Sequence, residues 1–327
     1  MQGMPSLNPF LLSLGWSENF QSSFDTCKRD HPETAFAPAR IVSQGRGNYR
    51  VLVEPELILE AAVTGKLHKV AKDGAGFPAV GDWVAITLSE GNRKADIHQV
   101  LTRKSLVQRR RVGNKHENQI IAANVDFLLI VTSLNEDFDL ERLGRYIALA
   151  QESGVTPLLL LTKADLCLHP EEYTAKINYQ FPDIKSFAIS DRDSASFEAL
   201  QLFLLPGMTS VLVGSSGVGK STLCNFLTRV DTQKTSEVST DSRGKHTTTA
   251  RSLHITHWGG LVIDTPGMQE VAAVGEVEAA DFPDIEDLIA KCKFTNCRHG
   301  GDPGCAVLSA LKVGSLDPKR WQIYLAR

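Results

Sequence analysis

One stretch of the sequence decides the fold class: Gly214-Ser215-Ser216-Gly217-Val218-Gly219-Lys220-Ser221. It matches the pattern G-x-x-x-x-G-K-[ST] in full, and it lies between a predicted strand at 209–213 and a predicted helix at 222–228. Glycines let backbone N–H groups turn around phosphate oxygens, and the helix N-terminus adds partial positive charge. The stretch therefore predicts a phosphate-binding loop. A glycine-rich turn without a ligand is the alternative, and the strand and helix on either side disfavour it.

Within this loop we expect Lys220 to reach the β- and γ-phosphates and Ser221 to ligate Mg²⁺, with Thr222 beside them. A second motif, Asp264-Thr265-Pro266-Gly267, follows a predicted strand and begins 43 residues after Ser221. An Asp at a strand end can hold the Mg²⁺ shell, and Gly267 can offer its N–H to the γ-phosphate.

The tetrapeptide Thr162-Lys163-Ala164-Asp165 follows a predicted strand at 156–161 and is similar to the [NT]-K-x-D motif of guanine-binding proteins. Asp165 can accept hydrogen bonds from guanine N1–H and the exocyclic amine, whereas adenine would leave the carboxylate unpaired. Lys163 is expected along the base plane. These residues favour GTP over ATP.

The order of the motifs along the chain is unusual. The guanine motif stands about fifty residues before the phosphate loop, whereas ordinary GTPases have the phosphate loop first. A circular permutation moves the chain termini and keeps the site, which folded domains tolerate. The sequence therefore predicts a circularly permuted P-loop domain.

The polar segment Arg243-Gly244-Lys245-His246-Thr247-Thr248-Thr249 lies where a first switch is expected. We expect Thr248 to reach Mg²⁺, with Thr247 as the next choice. Met268 follows the second motif and cannot orient a water molecule, so His246 is the nearest polar candidate for that task. The alternative is that His246 is an ordinary loop histidine.

A cluster of metal-ligand residues lies near the end of the chain, with the spacing C-x4-C-x-H-x5-C: Cys292, Cys297, His299 and Cys305. Three thiolates and one imidazole form a closed tetrahedral set, which is typical of structural zinc. The other three Cys are scattered, which suits a reducing cytoplasm better than a disulfide framework.

The rest of the chain is read from its patterns. Five short predicted strands between 37 and 110 fit a small closed barrel, either an OB-fold or an SH3-like barrel. From about residue 120, strands alternate with helices, which predicts a mostly parallel sheet. The longest apolar runs have five residues, far fewer than a membrane span needs.

Charge is unevenly distributed along the chain. The segment 40–115 holds fourteen Lys/Arg and seven Asp/Glu, a net of +7 in a chain whose total is −3. It ends with Arg109-Arg110-Arg111. Such asymmetry indicates either a polyanion-binding segment or a solvated basic face.

Together these motifs resemble the ribosome small subunit-dependent GTPase A family (RsgA/YjeQ). The resemblance is carried by these stretches: 119–126 (QIIAANVD), 162–165 (TKAD), 214–221 (GSSGVGKS), 244–249 (GKHTTT), 264–267 (DTPG) and the Cys/His cluster at 292–305. Two positions depart from the family pattern, Thr162 in place of the usual Asn and Lys245 where Arg or Gln is common.

Residues 1–36 are polar and irregular apart from a short apolar patch at 10–16, and we expect them to form an arm that packs on another part of the chain and can include a short helix. The resemblance implies the three segments that follow: an RNA-binding OB-fold at 37–112, a circularly permuted GTPase domain at 113–274 and a zinc-binding helical domain at 275–327. It also implies a cytoplasmic monomer that hydrolyses GTP with Mg²⁺, holds one zinc ion, and assists late maturation of the small ribosomal subunit through rRNA contacts. That subunit would stimulate turnover. The alternative function is a non-enzymatic RNA-binding module that nucleotide merely stabilises.

Overall fold

A computed structural model describes residues 8–45, 48–71, 76–89, 91, 94–110, 118–190, 192–228, 251–265, 283–294, 297, 299, 304–316 and 321. The chain forms two compact units, residues 1–271 and 272–327. Each unit is described by itself below. Among the described residues, no helix has the length and apolar character to cross a membrane.

The N-terminal arm is helical, although its polar sequence suggested irregular structure with at most a short helix. Helix α1 spans Pro9–Ser13 and helix α2 spans Glu18–Asp30. On α2, Phe20, Phe24 and Cys27 are buried, at the spacing of a single helix face. The indole of Trp16 meets that of Trp83 edge to face at 4.8 Å, so the arm packs against the barrel that follows it.

Five strands and one helix form that barrel: β1 Ala37–Gln44, β2 Tyr49–Glu54, β3 Leu57–Val63, α3 Gly65–Val70, β4 Trp83–Leu88 and β5 Lys94–Val100. Strand pairing runs β1–β2–β3–β5–β4 and returns to β1, which closes the sheet. Only the β3–β5 pair is parallel. The predicted closed barrel of OB type is confirmed.

A two-stranded hairpin, which the sequence patterns did not indicate, follows the barrel. It consists of β6 Leu106–Arg110 and antiparallel β7 Asn118–Ala123. The backbones of Arg109 and Arg110 therefore lie in this hairpin and not in the barrel, where we had expected the basic run. The proposed domain boundary at 112/113 and Arg111 lie outside the described residues.

A six-stranded sheet builds the rest of the larger unit: β8 Phe127–Ser133, β9 Thr156–Thr162, β10 Lys185–Ala188, β11 Thr209–Val213, β12 Arg251–Ile255 and β13 Leu261–Asp264. Its spatial order is β10-β9-β8-β11-β13-β12, and all pairs are parallel except β12–β13. Three helices accompany it: α4 Leu140–Glu152, α5 Pro170–Gln180 and α6 Lys220–Leu227. Central strands such as β11 are buried along their whole length, as parallel strands covered on both faces are.

The smaller unit has its own apolar core. Helix α7 spans Pro283–Ala290 and helix α8 spans Ala306–Lys312. Their core includes Ile285, Val307 and Leu316, each at most 2% exposed.

Candidate functional site

The sequence motifs meet at one edge of the six-stranded sheet. Thr162 ends β9, the phosphate loop follows β11, and Asp264 ends β13. Because these three strands are parallel, their carboxyl ends lie on the same side, where open α/β sheets bind ligands. The strand that enters the phosphate loop lies between β8, which precedes it in the chain, and β13, which follows it.

Close packing of the phosphate loop explains its first glycine. Gly214 has φ 143°, and a Cβ atom there would lie 2.1 Å from the carbonyl oxygen of Val131 on β8. No side chain fits this position, so the loop can leave β11 only through a glycine. Ser216 and Gly217 at the tip are exposed, which leaves their backbone accessible to a ligand.

The Lys220 ammonium lies inside the loop. Its Nζ donates to the carbonyl oxygens of Gly214 and Ser215 at 2.7 and 2.5 Å. Burial lowers the pKa of Lys220, although the carboxylates of Asp264 and Asp137 oppose this. A partly desolvated cation that is held only by neutral carbonyls is well placed to bind an anion.

The guanine motif is bonded directly to the phosphate loop. Thr162 is 7% exposed, and its Oγ1 lies 2.6 Å from the carbonyl oxygen of Val218 and 3.2 Å from that of Thr132. A threonine at this position therefore joins β9 to the loop after β11. The next residue, Lys163, has φ 58°, a left-handed conformation that non-glycine residues adopt rarely and mostly at functional sites.

Asp165 has a partner that the sequence analysis missed. Its Oδ1 accepts a 2.8 Å hydrogen bond from Ser190 Oγ, and Arg192 Nε lies 3.3 Å from Oδ2. Ser190 follows β10, the neighbour of β9, so both residues are at the same sheet edge. The available signal was a polar residue that directly follows the apolar residues Phe187, Ala188 and Ile189.

A small cavity of about 90 Å³ opens beside these groups. It is lined by Thr162, Lys163, Ile189, Phe197, Gly219, Thr222 and Leu223. The apolar side chains of Ile189 and Leu223 with the ring of Phe197 can contact a planar base, while the polar groups of the guanine motif can read its edge. The cavity thus connects the guanine motif to the start of α6.

The end of β13 is also anchored. Thr265 is fully buried, and its Oγ1 donates to the carbonyl oxygen of Leu212 on β11 at 2.8 Å. This bond holds the residue after Asp264 next to the strand that leads into the phosphate loop. The remaining predicted residues of this region, Thr247, His246, Thr248 and Gly267, lie outside the described part of the chain.

Strand β1 of the barrel joins the nucleotide sheet. Ser43 and Gln44 pair with Ser252 and Arg251 of β12. Nη1 of Arg251 also donates to the carbonyl oxygen of Ile120 in the β6–β7 hairpin at 2.6 Å. The first described residue after the expected switch segment therefore contacts both the barrel and the hairpin.

Arg40 of β1 is a structural residue and not part of a basic surface. It is 1% exposed, and its guanidinium donates to the carbonyl oxygens of Leu14 and Gly81 and, at 2.8 Å, to Thr209 Oγ1. Burial lowers its pKa to about 10, so it remains charged at neutral pH. It links the arm, the barrel and the first residue of β11.

Two further cations of the basic segment are also neutralised. Arg103 forms a two-pronged pair with buried Asp82, with Nη2–Oδ2 and Nε–Oδ1 distances of 2.7 and 2.8 Å. Lys104 Nζ lies 2.6 Å from Asp126 Oδ1. The Arg103–Asp82 pair is already balanced within the net count of +7 over residues 40–115. The positive charge available to a partner is smaller than that count because Arg40 is buried and Lys104 pairs with Asp126, which lies outside the segment.

In the smaller unit the four predicted metal ligands come together. One donor atom from each of Cys292, Cys297, His299 and Cys305 lies within 4.8 Å of the others. The Sγ atoms of Cys292 and Cys305 are 3.9 Å apart, and His299 Nδ1 lies 3.6 and 3.4 Å from them. Zinc bonds of about 2.3 Å to sulfur and about 2.0–2.1 Å to nitrogen imply tetrahedral edges of about 3.8 and 3.6 Å, so the cluster fits a metal of this kind.

The thiols also show the electrostatics of a cation site. Burial acts to raise the pKa of Cys292, but hydrogen bonds from the N–H groups of Ala306 and Val307 and from the thiols of Cys305 and Cys297 together outweigh it and leave that pKa below its usual value. The pKa of Cys297 rises to about 11 despite a hydrogen bond from the His299 backbone, because burial and the two neighbouring thiols disfavour a second negative charge. A bound cation would remove that penalty.

Fold and site together define the class: a P-loop GTPase whose guanine motif precedes its phosphate loop, joined to an N-terminal OB-type barrel and a Cys₃His unit. A family profile described as RsgA GTPase matches residues 100–274. The chain is 38% identical over 98% of its length to the Small ribosomal subunit biogenesis GTPase RsgA 2 of Vibrio vulnificus, of which it covers 88%. It is 39% identical over 96% of its length to the Small ribosomal subunit biogenesis GTPase RsgA of Opitutus terrae, again covering 88%.

Solved structures agree with this assignment. YloQ, described as a circularly permuted GTPase, matches with TM-score 0.51 and 25% identity, over 90% of this chain and 95% of YloQ. YjeQ from Thermotoga maritima has the same fold, with TM-score 0.53 and 22% identity over 89% of this chain and 97% of YjeQ. The chain belongs to the RsgA GTPase family and is a GTP hydrolase.

Proposed function

We propose that this protein is a cytoplasmic GTPase that binds the small ribosomal subunit and assists its late maturation, with turnover stimulated by the subunit. The observation that carries the nucleotide part is the 2.6 Å contact between Thr162 Oγ1 and the Val218 carbonyl, which joins guanine motif and phosphate loop into one site. The ribosomal part rests on family membership, since the relatives are named for biogenesis of that subunit.

Each predicted residue has a role in this proposal. The loop from Gly214 to Gly219 surrounds the phosphates, Lys220 neutralises the β- and γ-phosphates, and Asp165 reads the guanine edge. Ser221 and Thr248 would ligate Mg²⁺, and Asp264 would help to hold its coordination shell. Bound Mg²⁺ supplies charge neutralisation for the leaving group. Gly267 donates to the γ-phosphate, and His246 positions the attacking water.

The β1–β12 pairing supports the proposed stimulation by the subunit. His246 and Thr248 lie in the segment that leads directly into β12. A partner that binds the barrel or the hairpin acts on strands that contact Ser252 and Arg251, at the end of that segment. Binding and hydrolysis are therefore coupled through backbone pairing.

The experiment is GTP turnover by the full chain, measured as phosphate release with and without purified small subunits. We expect phosphate release from GTP to increase clearly when subunits are added. With ATP as the nucleotide we expect no such increase. GTP turnover that is the same with and without subunits would contradict the proposal, and so would ATP turnover equal to that of GTP.

We further propose that the Cys₃His cluster holds one structural zinc ion per chain. Replacing Cys297 by Ser should remove zinc and destabilise the 272–327 unit while nucleotide binding persists, because a structural metal contributes folding energy locally. Elemental analysis and nucleotide titration check this. The control is Cys167→Ser, which removes a thiol outside the cluster. Freshly purified protein without metal, and without affinity for added zinc, would contradict the proposal.

We propose that the basic run 109–111 contacts rRNA from the β6–β7 hairpin. Replacing Arg109, Arg110 and Arg111 by Ala should weaken subunit binding and make its salt dependence shallower, since each lost phosphate contact lowers the log–log slope by somewhat under one unit. GTP affinity should barely change. The measurement is subunit binding across a range of salt concentrations.

A charge-matched control removes three exposed lysines that lie elsewhere: Lys176, Lys185 and Lys312. It should leave the salt slope near that of the parent. Equal affinity and slope in the arginine variant and the parent would mean that this run does not touch RNA.

The protein is proposed to act as a monomer, which sedimentation of the free chain would test.

A further inference from the structure

A groove runs between the arm helix α2 and barrel strand β5. It contains two neighbouring cavities of about 500 and 390 Å³ that share Gln99 in their walls. Each is large enough for a small organic ligand. Neither the nucleotide site nor the Cys₃His cluster includes any of the residues that line them.

The first cavity presents aromatic rings beside a cation. Phe36 is half-buried, with the ring of His98 at 5.2 Å and that of His31 at 6.2 Å, both edge to face. Lys66 is exposed at the start of α3, and its Nζ lies 3.4 Å from His31 Nε2. Bases stack on rings of this kind, and an ammonium group at the rim suits a phosphate.

The second cavity continues the groove with hydrogen-bonding groups. Along α2 it is lined by four polar side chains: Asn19, Ser22, Ser23 and Thr26. The hydroxyl of Ser23 accepts a hydrogen bond from the Thr102 backbone, and that of Thr26 donates to the Ser22 carbonyl oxygen, so Asn19 and Ser22 are the pair that can bond phosphate or ribose oxygens without exchanging one of these partners. On the opposite wall are Thr102 and the ion-paired Arg103 and Lys104. No Asp or Glu lines either cavity among the described residues. Carboxylates do contact three of the lining residues: Glu33 lies 3.8 Å from His31, Asp82 pairs with Arg103, and Asp126 pairs with Lys104.

From this combination we propose that the α2–β5 groove binds single-stranded RNA, with a base against Phe36 and the backbone along Lys66 and the α2 hydroxyls. Two adjoining cavities that share Gln99 suit a strand better than one free nucleotide. Stacking rings distinguish a base from an acidic peptide, which would need cations alone. OB-folds usually bind oligonucleotides on strands 2 and 3, so this surface is a separate one, half of it built by the arm.

The inference deepens the proposed function because it names a contact surface for RNA. Its test needs neither GTP nor ribosomes: a fluorescein-labelled octauridylate is titrated into the full chain at several salt concentrations, with anisotropy as the readout. If octauridylate does not bind, the proposed stimulation of GTP turnover by subunits can still hold. If subunits do not stimulate turnover, octauridylate binding can still be measured.

We expect Phe36→Leu to weaken octauridylate binding roughly tenfold, because a base loses the aromatic ring on which it stacks. Lys66→Ala should weaken binding and reduce the log–log salt slope by about 0.7, the value for one single-strand phosphate contact. Lys66 is exposed, so its loss does not disturb the core. The control is Lys69→Ala, an exposed lysine on the same helix that lines neither cavity, and it should bind like the parent.

Cross-linking gives a second readout. Ultraviolet irradiation of the complex should label the tryptic peptide 30–40, which contains His31 and Phe36. The proposal is overturned if both Phe36→Leu and Lys66→Ala bind like the parent. It is also overturned if uridine monophosphate competes as well as unlabelled octauridylate, which would indicate a mononucleotide site, or if an octaglutamate does, which would indicate a peptide site.

Discussion

Replacing Lys220 by Ala should reduce GTP turnover at least about a hundredfold, with or without small ribosomal subunits, because charge stabilisation at the transferred phosphoryl group is lost. In the structure the Lys220 ammonium lies against the carbonyl oxygens of Gly214 and Ser215, inside the loop that we propose surrounds the phosphates. Ser221→Ala should have a similar effect through Mg²⁺. Phosphate release under saturating GTP is the measurement.

The fold should survive both changes. Ser221 is exposed at the start of α6, and the Lys220 ammonium bonds two carbonyl oxygens of its own loop. The matched control is Lys176→Ala, an exposed lysine on α5, which should retain full turnover and the same thermal unfolding midpoint. Substantial activity in either phosphate-loop variant would remove this loop from the mechanism.

The second large effect is expected for Asp165→Asn, which should lower GTP affinity by about 2–4 kcal/mol, or roughly 30- to 900-fold. An amide replaces one charge-assisted acceptor and presents an N–H₂ group to a guanine donor. The structure adds a second cost, since Ser190 Oγ now donates to the carboxylate and Arg192 lies beside it. Titration of GTP into both proteins measures the difference.

Asp183→Asn is the control, because this exposed residue before β10 is outside the cavity near Asp165. It should bind GTP like the parent. Ser190→Ala should show an intermediate loss if that hydroxyl orients the Asp165 carboxylate. Unchanged GTP affinity in Asp165→Asn would refute the guanine assignment while leaving the phosphate loop in place.

Local sequence was enough to predict the nucleotide elements. The phosphate loop, the guanine motif and the residues at the end of β13 each depend on neighbours in the chain, on strand ends and on the conformational freedom of glycine. The Cys/His spacing likewise predicted a cluster that the structure brings together. Motif order predicted the permutation, and the sheet order and family membership agree with it.

Amphipathic patterns were a poorer guide to secondary structure. The arm was expected to be mainly irregular because charged and polar residues outnumber the apolar ones on α2, yet Phe20, Phe24 and Cys27 share one buried face. The β6–β7 hairpin was missed, and with it the location of Arg109 and Arg110 outside the barrel. Short strands that pair only with each other carry little periodic signal.

What the sequence by itself determined is the set of local motifs: a phosphate-loop pattern, a guanine-motif pattern and four Cys/His residues with the spacing of metal ligands. Tertiary structure decided how they act together. That Thr162 bonds Val218, that Ser190 bonds Asp165, and that Arg40 is buried against Thr209 depend on which distant strands become neighbours. The physical reason is that a motif consists of residues close together in the chain, whereas strand pairing and burial depend on how distant segments pack in the whole sheet.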